Sequence, residues 1–257
     1  LTGALLLTLP IASQDGKSVG FINALFTAAS ATCVTGLTVV NTAAHWTVFG
    51  KLVIIILIQI GGLGVMTLSA MISFFLGKRI SLKTRVLIME ERNADELQGV
   101  VRLTKNILLY TFFVELAGAI LFSFVFIPDY GFIKGIAFSL FHAISSFCHA
   151  GFALTGDSMV IYVDNPIITF TVCSLIVVGG IGFFVFWDIY ASKGFKRLTL
   201  HSKLVLIVTG VLIFGGAALI FLLEYNNVGT LANLSMSGKI QAAIFQSVSP
   251  RTAGYYS

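Results

Sequence analysis

The sequence predicts an all-α membrane protein made of tandem repeats. Each repeat has an outer helix, a re-entrant pore helix ending in a glycine filter loop, and an inner helix. Composition is the first reason, because the 257 residues are 57% hydrophobic and 11% charged, with a mean hydropathy of +0.96. A soluble domain cannot keep so much apolar surface out of water, so the bilayer is the expected solvent. The other two reasons are a set of long apolar segments and a short motif that recurs three times.

Four segments are long enough to cross the hydrocarbon core as helices, which takes about 20 apolar residues. Helices are expected because lipid offers no hydrogen-bond partner to an unpaired backbone group. The segments are 52–76, 107–127, 167–187 and 204–223. Only the second of them contains a formal charge, Glu115.

Three shorter apolar segments, 19–32, 135–147 and 238–248, cannot span and are typical of re-entrant helices. Each runs into a small-polar cluster and ends on a glycine. Those glycines, Gly36, Gly151 and Gly254, lie 115 and 103 positions apart. The recurrence of the same order at a similar period indicates an internal repeat.

A second glycine signature follows the first two of these loops. It reads Ile60-Gly-Gly-Leu-Gly64 and then Val178-Gly-Gly-Ile-Gly182. Two signatures that recur in the same order strengthen the repeat. For this second signature we expect close helix packing in lipid, with the inner helices approaching the loops.

The basic residues predict the topology of a multi-pass protein of the cell membrane. Segments 77–106 and 192–203 carry 11 of the 16 lysines and arginines, so both are expected on the cytoplasmic side. The net charge of +5 therefore reflects topology and does not indicate nucleic acid. The glycine loops would then open to the outside. The acidic residues there form either a weakly anionic vestibule or ordinary solvated loops: Asp15, Asp129, Asp157, Asp164 and Glu224.

The chemistry expected at the glycine loops is that of a cation filter. A cation that enters a narrow pore loses water, and rings of backbone carbonyls can replace it. Glycine adopts positive φ and can turn its carbonyl inward, and the C-terminal end of a short helix favours positive charge. Serines 30, 145, 247 and 249 could tie the loops by hydrogen bonds. The expected filter residues are Cys33, Val34, Thr35, Gly36, Cys148, His149, Ala150, Gly151, Thr252, Ala253 and Gly254.

Three pieces of the chain carry a family resemblance: Ala31-Thr-Cys-Val-Thr-Gly36-Leu, Phe147-Cys-His-Ala-Gly151-Phe and Ser249-Pro-Arg-Thr-Ala-Gly254-Tyr. They resemble the filter loops of the TrkH/KtrB/HKT superfamily of potassium transporters, and those of bacterial KtrB most. The resemblance covers the whole chain and implies a pseudo-fourfold pore of four repeats. The first three are expected at 1–78, with an incomplete outer helix, at 79–192, and at 193–257, up to its filter loop. The fourth is absent, so the sequence is expected to be truncated.

The resemblance also implies a function. It suggests the ion-translocating subunit of potassium uptake across the cytoplasmic membrane, with K⁺ as the transported ion and possible stimulation by Na⁺. The resemblance also implies a preference for K⁺ over Na⁺, because the first loop has glycine at Gly36 where relatives that prefer sodium have serine. The implied partners are a second copy in a homodimer and a cytoplasmic nucleotide-binding regulatory ring similar to KtrA. A gating loop is implied in the third inner helix, after Ser257.

One alternative is a membrane oxidoreductase that holds haem or a metal through His142 and His149. Their counterparts in the other repeats, Thr27, Gln246 and Val34, argue against it. The chain has no nucleophile with a positioned base and no phosphate-binding loop, so an enzyme is not expected. A secondary transporter with inverted repeats is disfavoured, because each glycine loop follows an outer loop.

Two charged residues near the expected path leave their roles open. Glu115 lies inside a span, where a carboxylate either pairs structurally or couples ion or proton movement. Arg251 or a helix end is a candidate partner for it. Arg251 itself is expected to point away from the axis and to brace the third loop against a carboxylate, and the alternative is a role in gating or affinity.

Overall fold

The computed structural model describes residues 1–64, 100–156, 158–192 and 194–256. Within these ranges the regular structure is helical, apart from one isolated antiparallel bridge between Ser13 and Trp46. Short 3₁₀ turns occur at Pro10–Ala12, Val160–Tyr162 and Phe195–Arg197. The helices are α1 (Thr2–Thr8), α2 (Phe21–Thr32), α3 (Thr42–His45), α4 (Val48–Leu63), α5 (Val100–Tyr130), α6 (Phe132–Phe147), α7 (Pro166–Ile181), α8 (Phe183–Ser192), α9 (Leu200–Glu224) and α10 (Met236–Val248).

Among the described residues, α5 and α9 are long and apolar enough to cross a membrane, and α7 with α8 makes a third span if the bent pair is counted as one. The predicted spans 107–127 and 204–223 lie inside α5 and α9. Of the predicted span 52–76, α4 covers the first part, and residues 65–76 lie outside the described ranges, as does most of segment 77–106. The three predicted short helices are observed as α2, α6 and α10.

The predicted span 167–187 is not one continuous helix, so that prediction was wrong. α7 ends at Ile181, α8 begins at Phe183, and the two are bent by 88°. Gly182 between them has a φ of +85°, which no α-helix contains. Hydropathy carries no information about this dihedral angle. Gly64, at the same position of the first Gly-Gly-x-Gly motif, has a φ of +81° and ends α4 in the same way.

Helix pairing repeats along the chain. α1 packs on α2, α5 on α6, and α9 on α10, so each short helix is held by the helix that precedes it. In the second pair, Gly131 turns the chain with a φ of +81°. Gly135 then allows close approach, because a Cβ there would lie 2.6 Å from Ile127 Cα. The short helices are therefore fixed elements on which a loop can be positioned.

Two apolar cores fix the positions of the short helices relative to one another. The first is formed by α1, α2 and α4 and is completed by Phe141 and Phe152, from α6 and the chain after it. The second is formed by α5, α6 and α7 and is completed by Phe245 and Tyr255, from α10 and the chain after it. Each core thus takes side chains from the next short helix. Because protein interiors are close-packed, this fixes the relative positions of the chain segments that follow these helices.

Candidate functional site

Each of the helices α2, α6 and α10 ends in a loop with the same backbone conformation. These are the first, second and third glycine loops, residues 33–36, 148–151 and 251–254. Two residues before each glycine stands a non-glycine residue in the left-handed region, with φ of +55° at Val34, +62° at His149 and +65° at Thr252. This conformation costs roughly 1–2 kcal/mol, so the surrounding structure must hold it. The closing glycines have φ of +82° at Gly36, +68° at Gly151 and +70° at Gly254.

The three loops meet at one place. A Cβ on Gly36 would lie 2.8 Å from Ala150 O, and one on Gly151 would lie 2.7 Å from Ala253 O and 3.0 Å from Gly254 Cα. A Cβ on Gly254 would lie 3.5 Å from Gly151 Cα and 3.8 Å from Gly36 Cα. Glycine is therefore favoured at these positions by the positive φ, and at the first two also by the lack of space for a side chain.

A cavity of about 980 Å³ borders the meeting point. Seven of the eleven residues predicted from the sequence line it: Cys33, Val34, Thr35, Cys148, His149, Thr252 and Gly254. The other four, Gly36, Ala150, Gly151 and Ala253, lie within the loops, and the carbonyls of the two alanines face the glycine of a neighbouring loop. The lining also includes residues outside that prediction: Gly61, Gly62, Gly179, Gly180, Gln246, Ser249, Pro250, Tyr255 and Tyr256.

The glycines among these additional residues had a signal in the sequence, the Gly-Gly-x-Gly motif. A Cβ on Gly61 would overlap Thr32 O, and one on Gly179 would overlap Phe147 O. Thr32 and Phe147 are the last residues of α2 and α6. The motif thus brings α4 and α7 against the ends of the short helices, which is the close packing that we expected. Gln246 and Pro250 had no signal beyond their closeness to the third loop.

Serine hydroxyls hold the second and third loops in place by hydrogen bonds to main-chain carbonyls. Ser145 Oγ donates to Phe152 O at 2.8 Å, and Ser249 Oγ donates to Tyr255 O. In both cases the acceptor is the carbonyl of the residue after the glycine. Ser30 stands at the matching position of α2, but its buried Oγ has no partner in the described part of the chain. The first loop therefore lacks the tie that the other two share.

The residue after each glycine shows the same difference. Phe152 and Tyr255 are buried, whereas 59% of Leu37 is exposed. Tyr255 Oη donates to Phe152 O at 3.2 Å and accepts from Ser146 Oγ at 3.5 Å. The second and third loops are thus connected to each other through a buried phenol. Leu37, the residue that follows the first loop, is exposed instead of buried against a neighbouring unit.

Glu115 contacts the second loop through Cys148. Its carboxylate is buried and accepts a hydrogen bond from Gln59 Nε2 at 3.0 Å. The thiol of Cys148 lies 3.9 Å from the same oxygen, within reach of a weak S–H donor. Arg251, which we considered as a partner, does not pair with it. Its partners, Gln59 and Cys148, could not be predicted, because both are distant from Glu115 in the sequence and meet it only in the folded chain.

Arg251 does not brace its loop against a carboxylate in the described part of the chain, contrary to expectation. Its Nη1 is buried without a partner, and its side chain borders a separate cavity of about 350 Å³ against α9. It is not among the residues that line the cavity shared by the three loops, but its Nη2 would lie 3.4 Å from a Cβ on Gly180, which does line it. Its main-chain oxygen accepts from His149 Nδ1 at 2.8 Å. Ser247, predicted to tie this loop, instead donates to Ile213 O of α9 at 2.8 Å.

The two histidines of the oxidoreductase hypothesis are engaged in separate places. His142 is fully buried, its Nδ1 donates to Phe138 O at 2.8 Å, and its Nε2 accepts from Leu154 N at 3.1 Å. Neither nitrogen of His142 is therefore free to bind a metal, whereas His149 has a buried Nε2 without a partner among the described residues. Within the described ranges no group of three or more metal-ligating side chains occurs. The haem or metal hypothesis therefore has no support from the geometry.

Acidic residues of the predicted outer side take part in local hydrogen bonds. Tyr162 Oη donates to Asp129 Oδ2 at 2.9 Å, and burial together with the bonds to Tyr130 and Asp129 raises the pKa of the Tyr162 phenol, so it remains a donor. Asp164 Oδ1 accepts from Ser235 Oγ at 3.4 Å, beside the N-terminus of α10, where negative charge is favoured. Asp157 lies outside the described residues. An anionic vestibule remains a prediction.

Comparison with known proteins places this arrangement among cation transporters. Residues 2–257 match the family model TrkH, described as a cation transport protein. The chain is 46% identical over 257 residues to the potassium/sodium uptake protein NtpJ of Enterococcus hirae, over 100% of this chain and 57% of that protein. It is 46% identical over 259 residues to the Ktr system potassium uptake protein B of Bacillus subtilis, with the same coverage of 100% and 57%. The chain thus spans a little more than half the length of these relatives.

A solved structure shows the same fold. The crystal structure of the potassium transporter TrkH from Vibrio parahaemolyticus superposes with a TM-score of 0.62 at 17% identity. The match covers 90% of this chain and 44% of that one. At this identity the likeness concerns the fold, and it agrees with the all-helical architecture predicted from the sequence.

Proposed function

The chain belongs to the TrkH family of cation transport proteins, which are transporters and not enzymes, and we propose that it forms part of the ion-translocating subunit of a potassium uptake system. In this proposal K⁺ crosses the cell membrane between the three glycine loops, and main-chain carbonyls replace its hydration shell. The proposed filter residues are the eleven predicted from the sequence.

The close approach of Gly36, Gly151 and Gly254 carries this proposal. A Cβ added to any of these glycines would lie within 4 Å of the backbone of a neighbouring loop, so the three loops can present their carbonyls to a common ion with no side chain between them. The helices α2, α6 and α10 end at these loops, and their C-terminal partial charges favour a cation. None of the loops contains a carboxylate, so the ion would be held by dipoles, weakly enough to leave again.

We further propose that the chain comprises repeats at 1–78, 79–192 and 193–257, and that a fourth repeat in the full-length protein completes a pseudo-fourfold ring. The repeated pairs α1–α2, α5–α6 and α9–α10 support this division. The exposure of Leu37 supports the proposal that a fourth unit packs against the first loop, since its counterparts Phe152 and Tyr255 are buried against an adjacent unit.

Potassium is the proposed transported ion, with stimulation by sodium as a second feature. The relatives are named as potassium and as potassium/sodium uptake proteins, which supports both ions. Glycine at position 36 supports a preference for K⁺ through the family resemblance, in which glycine at this position goes with potassium. Transport assays with each ion alone would separate the two roles.

The proposed topology places segments 77–106 and 192–203 in the cytoplasm. Lys196 and Arg197 of the second segment are exposed, as expected for a cytoplasmic loop. We propose that this side meets a nucleotide-binding regulatory ring and that two copies form a homodimer. Labelling of a cysteine introduced at Lys196, from either side of the membrane, tests the sidedness. Its control is a cysteine introduced at Asn227. Asn227 follows the C-terminal end of α9, whereas Lys196 precedes the N-terminal end.

The function is tested in cells that lack their own potassium uptake, with the full-length protein. The wild type is expected to restore growth at low K⁺, and Gly36→Ser is expected to weaken K⁺/Na⁺ discrimination by about tenfold, equivalent to 1.4 kcal/mol. Gly210→Ser is the matched control, because Gly210 lies in α9 with open space around its Cβ position. Failure of a correctly inserted wild type to take up K⁺ would overturn the proposal.

A further inference from the structure

The buried carboxylate of Glu115 stands behind the second glycine loop and belongs to none of the loops proposed to contact the ion. It lies on α5 with 9% of its surface exposed. Its hydrogen-bond partners among the described residues are Gln59 of α4, at 3.0 Å, and the thiol of Cys148, at 3.9 Å. Neither partner is a cation, so no ion pair with a described residue compensates the burial. A carboxylate in such a place is costly and is expected to have a role beyond packing.

Cys148 is the residue through which this carboxylate reaches the loop. It is the C-cap of α6 and directly precedes His149, which has the left-handed conformation. On its other side, Cys148 Sγ packs directly on the Cβ position of Gly62 in α4. The thiol is therefore held between Glu115 and Gly62. The start of the second loop can shift only if this contact changes.

Among the described residues this contact is seen at the second loop. The matching residue of the first loop is Cys33, which is exposed, and that of the third loop is Arg251, whose Nη1 has no partner within the described ranges. Glu115 is therefore placed to act on the second loop.

We propose that Glu115 is a positioning residue for ion discrimination. The link from Gln59 through Glu115 to Cys148 holds the start of the second loop, and so sets where the carbonyls of Ala150 and Gly151 lie relative to the other loops. This inference rests on the proposed function, in which those carbonyls contact K⁺. It assigns no proton transfer and no direct ion contact to Glu115.

The first test compares Glu115→Leu with Glu115→Gln in the full-length transporter. The leucine variant removes both acceptor oxygens, whereas the glutamine variant keeps one oxygen and the shape. We expect Glu115→Leu to raise the KM for K⁺ and to lower K⁺/Na⁺ discrimination, each by about tenfold, the size of a hydrogen bond to a charged group. Glu115→Gln is expected to restore part of the loss. A merely structural role would lower the amount of folded protein and leave KM unchanged.

A second test uses a pair of matched cysteines. Cys148 and Cys173 are each 8% exposed, so Cys148→Ala and Cys173→Ala each remove one buried thiol. Only Cys148 meets Glu115, so only Cys148→Ala is expected to change KM and discrimination. The double variant with Glu115→Leu should be no worse than the stronger single variant, because both changes break the same link.

The outcomes separate this inference from the proposed function. If the wild type transports K⁺ but Glu115→Leu and Cys148→Ala keep its KM and its discrimination, the positioning role is wrong. If Glu115→Leu fails to fold, Gln59→Leu decides in its place, because Gln59 donates to the same carboxylate and is not one of the proposed filter residues. If the wild type itself takes up no K⁺, the proposed function fails first.

Discussion

Replacing Gly151 with alanine is expected to damage the proposed ion path more than the same change at Gly36. The new Cβ would lie 2.7 Å from Ala253 O and 3.0 Å from Gly254 Cα, and both are backbone atoms that no rotamer change can move. The left-handed φ of +68° must also be kept by a residue that disfavours it. The conformational part costs about 1–2 kcal/mol and the overlap about 1–3 kcal/mol, which together make about 2–5 kcal/mol.

The overlap at Gly36 is smaller. One backbone atom, Ala150 O, lies within 3.4 Å of the Cβ position there, at 2.8 Å. Gly254 is left out of the comparison, because the fourth repeat of the proposed ring would adjoin the third loop in the full-length protein. The expected order of damage is therefore Gly151, then Gly36.

The assay is K⁺ uptake by the full-length variants, with KM and K⁺/Na⁺ discrimination measured separately from the amount of folded protein. Because 1.4 kcal/mol is a factor of ten, Gly151→Ala should change KM or discrimination by about tenfold or more. Gly210→Ala in α9 is the control and should behave as the wild type, since its Cβ position is open. A Gly36→Ala variant more impaired than Gly151→Ala, or a Gly151→Ala variant equal to the control, would refute the reasoning.

Three further changes test the support of the loops. Gly61→Ala puts a methyl group against Thr32 O and should lower the free energy of unfolding by about 1–3 kcal/mol, measured by thermal unfolding in lipid or detergent. Ser145→Ala leaves a buried carbonyl without its donor and should cost about 1–3 kcal/mol, whereas Ser30→Ala breaks no hydrogen bond and should be nearly neutral. Gly182→Ala opposes the positive φ at the bend and should cost about 1–2 kcal/mol, with a longer spin-label distance across α7 and α8.

Matched controls for these changes are available in other helices of the chain. Gly215→Ala, in α9 with nothing near its Cβ position, is the reference for Gly61→Ala and should be neutral or stabilising. An unchanged unfolding temperature in Gly61→Ala, or equal losses at Ser145 and Ser30, would contradict the packing described. An unchanged distance across α7 and α8 would contradict the role of Gly182.

The sequence predicts the glycine loops well because the repeat supplies three copies of the same local signal. The small-polar cluster, the short apolar helix and the glycine recur in order, and the structure has α2, α6 and α10 with one loop conformation after each. Apolar length likewise predicts α5 and α9, because lipid restricts the backbone to helix. Local physics is sufficient for both.

Features that depend on tertiary contacts were not predictable. The bend at Gly182 requires a dihedral angle that hydropathy does not encode. The partner of Glu115 is Gln59 on a helix far away in sequence, and Arg251 has no counterpart in the other loops from which a pairing could be derived. The loss of the serine tie at Ser30 also depends on a neighbour and not on the local sequence, since the serine itself is present in all three units.

The measurement that tests the central claim most directly is a density map of the full-length protein with Rb⁺ or Tl⁺, heavy analogues of K⁺. Ion density is expected on the axis where Gly36, Gly151 and Gly254 approach one another, at carbonyl contact distance from the three loops. Ion density elsewhere, or loops that lie apart at the periphery and line no common path, would contradict the account.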